Sequence, residues 1–105
     1  MSDGRDLNPQ REVVTRTRRK LKKPRLYKVL LHNDDYTTME FVVYVLQAVF
    51  HREQTEATQI MLHVHRNGIG VAGVYTHELG ETKVAAVEHL ALQHEFPLKC
   101  SMEEA

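Results

Sequence analysis

The chain has 105 residues, 42% hydrophobic and 27% charged, with a formal net charge of zero. That length supports one domain with a modest core, in the composition range of soluble globular proteins. No apolar run reaches the ~18 residues a membrane helix needs, and the polar N-terminus does not read as a secretory signal, so neither a membrane nor an export role is expected. The single cysteine, Cys100, excludes an internal disulfide and fits a reducing cytoplasm. Its plainest reading is a small buried residue in a strand.

The zero charge conceals an asymmetry. Residues 1 to 25 carry a net +6 and the remaining eighty a net −6. Residues 1 to 24 contain few large apolar groups (Leu7, Val13, Val14, Leu21), too few to offset the entropy of ordering, and read as a flexible basic arm ending at Pro24. The basic run from Arg16 to Lys23 is compatible with nucleic acid, with a plain solvated tail, or with a leader gripped by another protein. Residues 25 to 105 read as the folded domain.

Within the domain, Leu26 to Leu31 alternates as a strand, with Tyr27, Val29 and Leu31 on one face and Leu26, Lys28 and Leu30 on the other. The strand breaks on Asn33-Asp34-Asp35, short polar side chains that bond back to the backbone. Thr37 and Glu40 have the spacing of a capping box, which starts a helix at about Met39 and carries it to His51. After a joint at residues 52 to 55, Ala57, Ile60, Met61 and Val64 mark a second helix, stopped by Asn67-Gly68. Ile69 to Tyr75 is strand-like, and Gly70 and Gly73 point to a bulge or a close backbone approach. Thr76 opens a third helix through Gln93, with Gly80 near its start costing up to ~1 kcal/mol relative to Ala. Phe96 to Met102 forms the last strand. The order β-α-α-β-α-β gives an α+β fold: a small three-stranded antiparallel sheet packed with three helices.

Seven histidines invite a metal site. In His63-x-His65, however, helical geometry turns the two rings about 200° apart, and no recognised ligand spacing involves the others. No metal and no cofactor are expected. Catalysis is not expected either, since Asp34 or Asp35 with His65 has no nucleophile beside it. A binding role uses the same residues better. An ammonium group has donors and no acceptor, so its receptor must supply an amide oxygen, a carboxylate or a neutral imidazole nitrogen. Asn33, Asp34 or Asp35, and His65 supply that set. Met39, Val42, Met61, Val64 and Leu98 offer an apolar hole beside it, with a plain core as their alternative reading. Together these residues suit a small cation that carries an apolar group. A protonated His65 would repel such a cation, so affinity should fall toward acid pH.

From Leu26 onward the chain resembles the ClpS family. The resemblance rests on six blocks in order: Tyr27-Lys-Val, Asn33-Asp-Asp-Tyr-Thr-x-Met-Glu-Phe-Val, Ala57-Thr-x-x-Met-Leu-x-Val-His, Gly73-Val-Tyr-Thr-x-Glu, Glu81-Thr-Lys-Val-Ala and Pro97-Leu-x-Cys. It implies an adaptor, not an enzyme, that recognises proteins beginning with Leu, Phe, Tyr or Trp (N-degrons) and hands them to the ClpA unfoldase of the ClpAP protease. On that resemblance the substrate's α-amino group falls to Asn33, Asp34 and His65, the peptide backbone and pocket rim to Asp35 and Thr37, and the side chain to Met39, Val42, Met61, Val64 and Leu98. Met39 would be the gate against β-branched residues. Glu78 and Lys83 would contact the N-domain of ClpA, and the basic arm would be the segment the unfoldase engages. The sequence departs from the family pattern at His32, usually aliphatic, at Thr38, usually Pro, at Ala72, usually Cys, and at Gly80, usually Ala. A second reading starts from the likeness of the β-α-α-β-α-β plan to the C-terminal domain of the ribosomal stalk protein. It makes the chain a ribosome- or RNA-associated module acting through the arm.

Overall fold

A computed structural model describes residues 23 to 105; the expected flexible arm falls, but for its last two residues, outside the described part. The element order is β1 (Leu26–His32), α1 (Met39–Ala48), α2 (Gln54–Asn67), β2 (Ile69–Thr76), α3 (His77–Gln93) and β3 (Lys99–Glu104). The strands form one antiparallel sheet in the order β2-β1-β3. The α+β arrangement is the one read from the sequence.

β1 is the middle strand, paired on both edges, and its position explains its apolar sequence. Val29 and Leu31 are fully buried, and Leu30 on the opposite face is nearly so. Val29 and Leu31 join Val45 and Leu46 of α1, Val64 of α2 and Val87 of α3 in one buried cluster, so the helices pack on one face of the sheet. Burying a side chain of this size contributes ~1.5–3 kcal/mol, which makes the cluster the main source of stability.

The bulge signalled by the glycines is present in β2. Val29 pairs with Gly73 while Leu30 pairs with Val71, leaving Ala72 as the extra residue. Its carbonyl accepts from Arg52 Nε at 3.0 Å and Nη2 at 2.8 Å. A guanidinium from the α1–α2 connection thereby satisfies a backbone acceptor at the bulge.

Several boundaries differ from the sequence expectation for local reasons. Thr37 does not cap α1. The cap is Thr38, whose hydroxyl accepts from the Phe41 N–H at 3.1 Å, while the Thr37 hydroxyl donates to Asp34. α1 stops at Ala48 rather than His51, because His51 turns left-handed (φ 56°) and the Arg52 N–H reaches back to the Leu46 carbonyl, a closure that ends helices. β3 starts at Lys99 rather than Phe96, because β1 ends at His32, the partner of Lys99, and Phe96 is held back against α3. Glu95 is left-handed (φ 60°), and the Phe96 N–H bonds the Ala91 carbonyl. Gly80 sits where α3 passes close to β3, so a Cβ there would lie 2.5 Å from Met102 Sδ.

Leu46→Ala should lower the unfolding free energy by ~2–5 kcal/mol, read from the urea midpoint. An unchanged midpoint would show that Leu46 does not belong to the core.

Candidate functional site

The turn between β1 and α1 and the last turns of α2 meet at one end of the sheet. β1 pairs with β2 as far as His32–Ile69, and one further backbone bond extends the ladder: the Asn33 N–H donates to the Gly68 carbonyl at 2.9 Å. Gly68 ends α2 in the left-handed conformation (φ 88°), with its own N–H bonded to Val64, a backbone shape that costs glycine nothing. This single residue therefore turns the chain out of α2 and holds Asn33 against it.

A cleft of about 390 Å³ opens at this meeting point. Its lining includes Asn33, Asp34, Asp35 and Thr37 from the turn, Met39 and Val42 from α1, and Met61, Val64 and His65 from α2. The apolar and acceptor sets expected from the sequence are thus brought together, with one exception. Leu98 is buried in the same core cluster as Val42, Met61 and Val64 but does not line the cleft. The cleft also takes in Tyr36, 78% exposed, and Thr38. The sequence reading named neither as a site residue: it noted Thr38 only as a departure from the family pattern and Tyr36 only within the Asn33-Asp-Asp-Tyr-Thr block, although both adjoin the turn. The floor is apolar: Val64, Val42 and Met61 are all buried, whereas Met39 remains 43% exposed at the wall.

Acceptors stand along the other side. Asp34 is occupied in shaping the turn. Its Oδ1 accepts from the Tyr36 N–H at 2.8 Å and the Thr37 N–H at 2.7 Å, and its Oδ2 accepts from the Thr37 hydroxyl at 2.7 Å. Burial pushes this carboxyl upward, but the Thr37 hydroxyl and the two amides outweigh it and hold the group below its ordinary value. Asp35 and His65 are exposed, and no hydrogen bond of either side chain is found among the described residues. His65 differs in this from His63, which lies 3.1 Å from the Asn67 amide. The exposed imidazole and Asp35 carboxylate, with the Asn33 amide, leave acceptors open to a donor entering the cleft. Among the described residues no three His, Cys, Asp or Glu side chains converge to hold a metal ion. No helix among them is long and apolar enough to cross a membrane.

Glu78 and Lys83 lie apart from this cleft, on α3. Glu78 is exposed in its first turn, lining a shallow depression with Leu79 and Glu81. Lys83 is half-buried; its Nζ donates to the Val49 carbonyl at the end of α1 at 2.7 Å and lies 5.5 Å from the Tyr75 ring centre.

The fold is a small scaffold that presents, at one end of its sheet, a pocket with an apolar floor and an acceptor rim. Residues 22–101 match the family model described as ATP-dependent Clp protease adaptor protein ClpS. The ClpS adapter of Myxococcus xanthus is 64% identical over 93 residues, covering 87% of each chain. That of Rhodospirillum centenum is 54% identical over 99 residues, covering 94% of this chain and 92% of its own. Among solved structures, Agrobacterium tumefaciens ClpS2 bound to L-phenylalaninamide superimposes with a TM-score of 0.76 at 40% identity, over 79% of this chain and all of that one. The chain belongs to the ClpS family of ATP-dependent Clp protease adaptors, which are not enzymes. Of the two readings offered by the sequence, membership favours the adaptor over the RNA module.

Because the Thr37 hydroxyl stabilises the charged form of Asp34, Thr37→Val should raise the Asp34 titration midpoint, measured by carboxyl carbon NMR. A group whose folded pKa is depressed contributes stability above its unfolded pKa and loses it as pH falls through the folded value. The stability difference between wild type and Thr37→Val should therefore shrink in strong acid. A constant difference across pH would assign the loss to packing instead.

Proposed function

We propose that the chain captures proteins whose first residue is Leu, Phe, Tyr or Trp and delivers them to the ClpA unfoldase for degradation by ClpAP in the cytoplasm. The observation that carries this reading is the cleft itself, where open acceptors adjoin a buried apolar floor. The relative from Agrobacterium tumefaciens, which binds L-phenylalaninamide, supports the ligand class.

The first residue's side chain enters against Val42, Met61 and Val64, with Met39 closing the wall. Its α-ammonium donates to the Asn33 amide oxygen and a ring nitrogen of neutral His65. Asp34 is assigned to the same site as the carboxylate that shapes it, and its remaining lone pairs face a donor only after three hydrogen bonds are met. Asp35 is the carboxylate better placed to balance the charge, directly or through water. Thr37 works at the rim by holding Asp34. Leu98 supports the floor from within the core.

Magnitudes require both halves. A micromolar complex needs about 8 kcal/mol. A buried Leu or Phe side chain contributes ~1.5–3 kcal/mol, and each charge-assisted hydrogen bond ~1.5–3 kcal/mol, before the cost of association. An internal Phe has no ammonium, and an N-terminal Arg cannot bury its charge on an apolar floor. Delivery would use the α3 surface around Glu78 as the contact for the ClpA N-domain, with residues 1 to 24 as the segment the unfoldase engages. Lys83 contributes to that surface while bracing the end of α1.

Fluorescence titration with peptides beginning Leu, Phe, Tyr, Trp, Val and Arg, and with acetylated Phe, tests the receptor. The four bulky residues should bind, Val and Arg should bind weakly, and acetylation should abolish binding. No binding by any peptide would sink the reading. Asp35→Asn and His65→Ala should each weaken Phe-peptide binding about tenfold or more without a matching fall in melting temperature. Glu78→Lys should block ClpA-dependent degradation of a Phe-tagged reporter and leave peptide affinity intact; unchanged degradation would move the unfoldase contact elsewhere.

A further inference from the structure

The sulfur atoms of the described residues differ sharply in access. Cys100 is 5% exposed, and burial, with a smaller contribution from Glu88, pushes its thiol up to about 12, so it carries almost no reactive thiolate. Met61 is 9% exposed on the cleft floor, and Met102 is packed half-buried against α3 at Gly80. Met39 is 43% exposed and stands in the cleft wall, at the first residue of α1. The most exposed sulfur-bearing residue among those described is therefore also one that lines the cleft.

We infer that Met39 is an oxidation site through which peroxide lowers substrate capture. In the reaction a lone pair on the Met39 sulfur attacks one oxygen of hydrogen peroxide. An S–O bond forms as the O–O bond breaks, and the leaving hydroxide takes the proton of the sulfur-bound hydroxyl, giving the sulfoxide and water. Sulfur is oxidised by two electrons and peroxide is reduced by two. The product is a sulfoxide, which replaces a flexible apolar group with a polar, chiral one and is reversible by methionine sulfoxide reductases. A sulfoxide oxygen in this wall must either lose water when an apolar side chain enters, or keep the wall open. The apolar neighbours lining the cleft, Val42, Met61 and Val64, offer it no hydrogen bond. Exposed Cys thiolate, the usual competitor for peroxide, is absent among the described residues. The inference rests on the proposed reading that the cleft takes an apolar N-terminal side chain.

The test is to treat the full chain with dilute hydrogen peroxide, map sulfoxides by peptide mass spectrometry, and titrate a fluorescent Phe-initiated peptide. Met39 should be oxidised before Met61 and Met102. Affinity should fall about tenfold in step with the Met39 sulfoxide and return after treatment with the reductases. Met39→Leu, whatever its starting affinity, should bind equally before and after peroxide. Full Met39 oxidation with unaltered affinity would overturn the inference. So would prior oxidation of Met61 or Met102, or an equal loss in Met39→Leu, while the receptor reading stood. Absent binding by the untreated protein would overturn the receptor reading and the inference with it.

Discussion

The site depends on the bond from the Asn33 N–H to the Gly68 carbonyl. The acceptors come from two segments some thirty residues apart in the chain, and nothing in either segment alone sets their separation. Gly68 does so from the α2 side: its left-handed backbone ends the helix two residues beyond His65 and turns its carbonyl toward the β1 turn. The Asp34 carboxylate performs the matching task on the other side by gathering the Tyr36 and Thr37 amides into a fixed loop. The acceptors of this cleft are thus preorganised, and a donor entering it would meet them with little reorganisation.

Much of this was legible in the sequence because its signals are local. The strand alternation of Leu26 to Leu31, the helical spacing of Phe41 to Val49 and the Gly68 stop are each written within a few residues and were met by the structure. Gly70 and Gly73 signalled the bulge. The errors arose where two neighbours competed for one role. Thr37 and Thr38 could each cap α1, and the choice was decided by Asp34, which takes the Thr37 hydroxyl for itself. The end of α1 shifted because His51 turns left-handed without being glycine, a choice that propensity does not announce, and the start of β3 because its partner strand ends at His32.

The site was legible as a set of residue types and less so as an arrangement. Asn33, His65, Met39 and Met61 stand at the cleft as spacing and resemblance suggested. Leu98 falls short of it, since an apolar residue near a strand start looks the same whether it faces a pocket or the core. Lys83 shows a similar limit. A charged residue on a helix reads as surface, yet its ammonium is engaged with the Val49 carbonyl at the end of α1, whose last turn has no basic residue of its own.

The central place of β1 also shapes how the molecule must assemble. β1 is the first element of the described domain, but its partners are β2, which begins at Ile69, and β3, which ends at Glu104. Both pairings close long loops, the pattern that slows folding in small domains. During synthesis an apolar strand with two open edges waits for β3 before its second edge is covered. The domain thus passes through a state with an unpaired apolar strand, and the pairing of β3 brings that exposure to an end.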